Sequence, residues 1–157
     1  MPVIRDERPT DRAGVYEVEA AAFGRPDEAD LVDALRDHDA FAYSLVAEED
    51  GEIVGHIMFT WLPVGSVRAL ALAPLAVRPG NQGAGLGRAL IAAGMKRAEE
   101  MGVPGVVVVG DPAYYSGSGF TTEHKITQTY GWPDEVFQAI VFTELEGEAV
   151  YPTPFGS

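Results

Sequence analysis

The sequence predicts one α/β (α+β) domain over residues 1–157, a mixed sheet flanked by helices in the order β-α-α-β-β-β-α-β-α-β-β. Three observations carry this. Residues 70–77 form a continuous apolar run, as in a central strand covered on both faces, and a glycine-dense loop behind it opens a helical pattern from Leu86 to Met101. Asp50-Gly51 separates two further apolar runs and marks a hairpin. With 46% hydrophobic and 22% charged residues, a chain of 157 residues needs no staples. At that size about 70% of the unfolded surface is buried on folding.

Taken in order, Val3-Ile4-Arg5 starts a strand, and Arg8-Pro9-Thr10-Asp11 turns into a helix through Ala22, with Thr10 as N-cap and Val15, Val18 and Ala22 as its apolar stripe. Gly24-Arg25-Pro26-Asp27 breaks the chain before a second helix, in which Leu31, Ala34 and Leu35 recur at helical spacing. Runs 41–47 and 53–62 are the arms of the hairpin, and 70–77 is the next strand. The helix after the glycine loop stops at Gly102 and Pro104. Val106 to Val109 is a buried strand, Gly110-Asp111-Pro112 breaks it, and a helical turn covers 113–117. Residues 119–121 and 136–143 are expected as closing strands, whose edges suit a homodimer. The tail, 146–157, is expected to be extended and peripheral.

The loop Gln82-Gly83-Ala84-Gly85-Leu86-Gly87-Arg88 is where the chain is expected to hold an anion. The first turn of a helix has unpaired N–H groups and the positive end of the dipole, and residues without a Cβ let phosphate oxygens come close. The charge map agrees. Residues 53–98 contain no Asp or Glu but do contain Arg68, Arg78, Arg88, Lys96 and Arg97, so this stretch carries +5 in a chain whose net charge is −13.

Composition excludes several classes. Absence of cysteine rules out a disulfide framework, a thiolate metal site and a cysteine nucleophile, and fits a reducing, cytoplasmic compartment. An all-histidine metal site would need every one of His38, His56 and His124, so no metal is expected. The first residues, Met-Pro-Val-Ile-Arg-Asp-Glu-Arg, have no apolar core and read as neither signal nor transit peptide. No apolar run reaches membrane-spanning length, and the acidic balance argues against nucleic-acid and anionic-membrane partners.

Gln82-x-x-Gly85-x-Gly87 behind a strand resembles the Gln/Arg-x-x-Gly-x-Gly/Ala signature of the GCN5-related N-acetyltransferases, the GNAT family. The order of elements is similar to that family's, and Tyr115-Ser116-Gly117-Ser118-Gly119-Phe120 falls where the family has Tyr-x-x-x-Gly-Phe, so the resemblance covers nearly the whole chain. Gly-Asp-Pro-x-Tyr-Tyr at Gly110 to Tyr115 also resembles a subgroup of small, uncharacterised N-acetyltransferases. Two departures stand out. Gly110-Asp111 replaces the Asn that the family often has past the preceding strand, and Ser116-Gly117-Ser118 lacks its frequent Lys.

The resemblance implies a GNAT-like fold whose sheet is partly splayed and an acetyl-CoA co-substrate. Gln82, Gly83, Ala84, Gly85, Leu86, Gly87 and Arg88 would surround the pyrophosphate, mainly through backbone N–H. Leu75, Ala76 and Val77 would pair their backbone with the pantetheine arm as if it were another strand. A bulge near Pro74 would open the slot for that arm. The implied reaction is transfer of acetyl to a primary amine, on a small molecule or a peptide, by direct attack in a ternary complex. Tyr115 would be the general acid, because a tyrosine of ordinary pKa near ~10 stays protonated beside a thiol near ~8.5. Tyr114 is its neighbour at the wrong spacing.

The base is open. Glu28, between the first two helices, is the candidate, although a charge at a helix N-terminus is also accounted for by the dipole. Glu19 ranks behind it, and His56, alternating with apolar residues on a strand, reads as a structural histidine. Two other readings compete. A dinucleotide fold fails because Arg88 stands where the third glycine belongs, and a P-loop fails because no Gly-Lys-Ser/Thr occurs. A non-catalytic acyl-CoA-binding sensor or interaction module would have the same loop without turnover.

Overall fold

The computed structural model describes residues 2–156. Strand β1 (Val3–Asp6) pairs antiparallel with β2 (Phe41–Glu49), and between them run α1 (Arg12–Phe23) and α2 (Asp27–Arg36). The N-cap of α1 is Asp11, at the end of a 3-10 turn, not Thr10. A carboxylate wins that position because it has more partners. Asp11 accepts from the Arg8 N–H at 2.7 Å and from both Arg5 Nη atoms at 2.7 and 3.0 Å, and those contacts hold its carboxyl below its ordinary pKa. Gly24, at φ 69, ends α1 and donates to Ala20 O at 2.9 Å.

The hairpin forms as expected, with β2 joined to β3 (Glu52–Val64) through Asp50 at φ 53 and Gly51 at φ 79, the left-handed pair of a tight turn that matches strand twist. Next come β4 (Val67–Val77), α3 (Leu86–Glu100), β5 (Gly105–Val109), α4 (Pro112–Ser116), β6 (Lys125–Thr127), β7 (Phe137–Val141) and β8 (Glu146–Glu148). The main sheet runs β1-β2-β3-β4-β5-β7, with β4 and β5 its parallel pair. Helices cover both faces. Val15, Val18, Val32 and Leu35 pack with Val46, Met58 and Ala76 on one side, while Leu90, Ile91 and Ala98 pack with Phe59, Leu70 and Val106 on the other. That explains why β4 reads as continuously apolar.

The carboxyl-terminal third departs from expectation. Residues 119–121 form no strand; Thr121 makes a single bridge to Ala139 on the edge of β7 away from β5. A second, two-stranded sheet pairs β6 parallel with β8, two three-residue segments of sequence Lys-Ile-Thr and Glu-Gly-Glu, too short and polar to leave a pattern. Nor is 146–156 peripheral. Ala149 is 1% exposed, and Tyr151 packs edge-on against Tyr130, Trp132 and Phe155 at ring distances of 5.6, 5.2 and 5.2 Å. Aromatic burial outweighs the Pro and Gly composition that suggested a loose tail. Ser157 and Met1 lie outside the described residues.

Candidate active site

The site begins with a fault in the sheet. Ile57 stands opposite Leu75 and Phe59 opposite Leu72, so Ala73 and Pro74 on β4 face Met58 alone. This is the bulge expected at Pro74. Strand β4 pairs with β5 only at Leu70–Val106 and Ala71–Val107, whereas β5 continues beside β7 to Val109. Beyond Ala71 the two central strands diverge, and a cleft of about 770 Å³ opens between them. Its walls include Leu72 to Leu75 and Val77 on β4, Val109 at the end of β5, Gly110 and Asp111 behind it, and Tyr114 and Tyr115 on α4.

The glycine loop forms one end. Gln82 donates through Nε2 to Val77 O at 2.9 Å and ties the loop to the strand. Gly83 and Gly85 both stand at φ 83, and Gly85 is the N-cap of α3. The first bond of that helix runs from the Ala89 N–H to Gly85 O at 3.0 Å, so the N–H groups of Leu86, Gly87 and Arg88 precede the helical ladder. Arg88 lies over the Tyr114 ring at 5.1 Å. Gln82, Gly83, Gly85, Leu86, Gly87 and Arg88 all line the cleft, as do Leu75, Val77, Tyr115 and Glu28; Ala84 and Ala76 do not. Ala76 turns its methyl into the core under α1, as alternation on a strand requires.

The basic stretch is less concentrated than its sequence suggests. Arg78 pairs with Glu52, Arg97 with Asp6, and Arg68 lies over Trp61, which leaves Arg88 as the one of the five that lines the cleft. The glycines within the two departures from the family pattern are closely covered. A Cβ at residue 110 would stand 2.7 Å from the Tyr115 ring, and one at residue 117 would run into the Arg88 guanidinium.

Tyr115 is held by its backbone, whose N–H donates to Asp111 O at 3.1 Å, and by edge contacts with Tyr114 and Phe120. Burial, with lesser contributions from Tyr114, Asp111 and Glu19, pushes its hydroxyl up to about 12. It therefore stays protonated at every pH near neutrality. Phe23, Glu28, Leu31 and Phe155 also line the cleft, from α1, α2 and the carboxyl-terminal segment. Glu28 accepts from Arg25 Nε at 3.0 Å and Nη2 at 2.6 Å, and these bonds hold its carboxyl below its ordinary pKa. Glu28 is thus a fixed negative charge and a poor proton acceptor.

Sequence reasoning undervalued the residues beneath. Glu19 and His56 are 0% exposed, with Glu19 Oε2 2.6 Å from His56 Nδ1 and His56 Nε2 2.7 Å from Ser44 Oγ. Burial pushes Glu19 up to about 9 and His56 down to about 4, so both are neutral at pH 7. The consequence for stability has two signs. Glu19, raised, contributes stability that is full below its ordinary value and is lost as pH rises toward 9; His56, lowered, contributes stability lost as pH falls from 6.5 toward 4. Alternation along the strand put His56 on the face opposite Ile57 and Phe59, but its partner lies 37 residues earlier on a helix, where no local pattern reveals it.

Comparisons with known proteins place this geometry. The sequence model of the acetyltransferase (GNAT) family matches residues 12–120. The chain belongs to that family. It is 41% identical over 117 residues to the uncharacterised N-acetyltransferase YjhQ of Escherichia coli, an alignment covering 71% of this chain and 65% of that protein, just under two thirds of its length. It is 34% identical over 134 residues to the E. coli uncharacterised N-acetyltransferase YhbS, covering 83% and 80%. The crystal structure of YhbS in complex with CoA superposes with a TM-score of 0.93 at 30% identity over 98% of this chain and 91% of that one. A GNAT-family acetyltransferase from Brucella melitensis in complex with acetyl-CoA gives 0.85 at 35% identity over 99% of each. The fold is the GNAT fold. Among the described residues no group of three or more His, Asp or Glu could hold a metal, and no helix is long and apolar enough to cross a membrane.

Proposed function

We propose that this chain transfers the acetyl group of acetyl-CoA to a primary amine by direct attack in a ternary complex. The observation that carries the reading is the divergence of β4 from β5, which opens a cleft whose lining includes a glycine loop suited to phosphate, a protonated tyrosine and a charged carboxylate. The loop from Gln82 to Arg88 takes the pyrophosphate on backbone N–H groups and on Arg88. The backbone of Leu75, Ala76 and Val77 pairs with the pantetheine arm, and N–H groups that β4 no longer shares with β5 polarise the thioester oxygen.

The acceptor enters between Phe23, Leu31 and Phe155, where Glu28 receives its ammonium group. The ammonium first gives up one proton, the amine nitrogen then bonds to the carbonyl carbon, and the C–S bond breaks as Tyr115 gives its proton to the departing sulfur; the second proton, which the nitrogen sheds on becoming an amide, restores the Tyr115 hydroxyl. Most of the acceleration comes from holding amine and thioester together. The complexes of YhbS with CoA and of the Brucella protein with acetyl-CoA support the choice of donor.

Calorimetric titration with acetyl-CoA and, separately, with NADH at low and high salt tests the donor site. Saturable binding of acetyl-CoA that weakens with salt, and no binding of NADH, is the expected result. Equal binding of both, or binding of neither, rules the donor site out.

A further inference from the structure

We propose that Glu19, His56 and Ser44 form a proton relay along the face of the sheet that α1 and α2 cover, carrying the proton of the acceptor amine from the cleft to the surface beside Glu7 and Arg36. This rests on the acetyl-transfer reading, which needs a proton acceptor that Glu28, clamped by Arg25, does not supply.

The three side chains come from three elements and meet end to end. Glu19 lies on α1 one turn before Phe23, which lines the cleft, so both share that face of the helix, with Glu19 fully buried behind the cleft wall. Its Oε2 meets His56 Nδ1 on β3 at 2.6 Å, and His56 Nε2 meets Ser44 Oγ on β2 at 2.7 Å. Ser44 in turn lines a second, smaller cleft of about 310 Å³, together with Glu7 and Arg36. Glu7 Oε1 stands 4.0 Å from His56 Nε2, and Glu7 Oε2 is ion-paired with Arg36.

Glu19 Oε1 has no hydrogen-bond partner among the described residues although it is fully buried. A carboxyl serving only to fix a helix on a sheet would be expected to satisfy both oxygens. An oxygen left open, backed by two linked groups that can each accept and release a proton, suits transfer. The charged and titratable groups facing Glu19 and His56 are Glu28 and Arg36 from α2, Tyr115 from α4 and Glu7 from the segment after β1; Ser44 faces them from β2.

The proton count closes. At rest Glu19 donates its O–H to His56 Nδ1, and His56 donates its Nε2–H to Ser44 Oγ. As the amine N–H breaks, a new O–H forms on Oε1, through a water at the acceptor end. The Oε2–H bond breaks as Nδ1–H forms, the Nε2–H bond breaks as a new Oγ–H forms, and the original Ser44 proton leaves to solvent beside Glu7. No member of the relay holds a charge once the proton has passed, and before the next turnover the Glu19 carboxyl and the His56 imidazole reorient so that the hydrogens again stand on Oε2 and Nε2.

The test measures acetyl transfer against pH for the parent, E19Q and S44A, with acetyl-CoA and a panel of 2-phenylethylamine, spermidine, glucosamine and an alanine-ended peptide, taking the fastest acceptor. Acetyl-CoA affinity and melting temperature are measured beside it. E19Q is expected to lower kcat by about 100-fold, in the range general bases supply. Its pH profile should move toward that of the free amine, since only amine already deprotonated in solution then reacts. Acetyl-CoA affinity should stay the same, and above neutral pH the variant should melt no lower than the parent, because the amide of E19Q has no charge to bury. S44A, a smaller change, should lower kcat several-fold and enlarge the solvent deuterium isotope effect, and it decides the matter if E19Q does not fold. Variants that are folded and match the parent in kcat and pH profile overturn the relay alone. A parent chain that binds acetyl-CoA but acetylates no amine overturns the enzyme reading and the relay with it.

Discussion

Replacing Tyr115 by Phe is expected to lower kcat by about 100-fold or more, the span typical of a lost general acid, while acetyl-CoA binds as before. The ring of Tyr115 already packs against Tyr114, Phe120 and the backbone at Gly110, and Phe preserves each of these contacts. Only the hydroxyl changes. It faces a cleft and not a buried acceptor, so its removal leaves no unpaired group in the core. Because burial pushes the hydroxyl up to about 12, the parent should not lose activity through this group anywhere in the ordinary assay range. Steady-state rates of parent and Y115F against pH, with calorimetry for acetyl-CoA, check both statements. Equal kcat for the two proteins would reduce Tyr115 to a packing residue.

A second large effect is expected at Gly85. Its φ of 83 lies in the left-handed region, where a β-branched side chain is strained by about 1–3 kcal/mol. No protein atom lies within 4 Å of a Cβ built there, so the branch point of Gly85→Val meets open space. The new side chain stands instead in the cleft, over the first N–H groups of α3. Acetyl-CoA affinity should fall by about 100-fold, the ~3 kcal/mol expected when backbone donors are blocked from an anion. Gly80→Ala, outside both the cleft wall and the left-handed region, should leave affinity unchanged. Calorimetry on the two variants separates loop chemistry from general loss of structure, and equal affinities would mean that the pyrophosphate is held elsewhere.

Much of the donor side was legible because its signals are local. A glycine run behind an apolar strand, a proline inside that strand and an Asp-Gly turn each act within a few residues, and the bulge, the loop and the hairpin stand where those residues put them. The acceptor side depends on contacts distant in sequence. Phe155 reaches the cleft from a tail whose prolines and glycine read as loose chain, and the β6–β8 pair joins segments too short to carry periodicity. The basic stretch misled in a different way. Charge read along the chain says nothing about partners, and Glu52 and Asp6 had already claimed two of its arginines.

The buried Glu19–His56 pair shows the same limit from the energetic side. An acidic residue on an amphipathic helix is ordinarily solvated, and Glu19 is followed by Ala20, Ala21 and Ala22, which give no sign of a polar partner. Only the packing of α1 across β3 reveals that its carboxyl is taken out of water and kept neutral. Glu19 is therefore a cost to stability at neutral pH, which calls for an account in terms of activity.

The most direct test of acetyl transfer in this cleft is initial-velocity kinetics with acetyl-CoA and the amine panel varied together, following free thiol and the mass of the acetylated product. Intersecting patterns, with acetyl found on the amine and none on the protein, are the predicted result. Parallel patterns accompanied by an acetylated chain would contradict direct attack in a ternary complex.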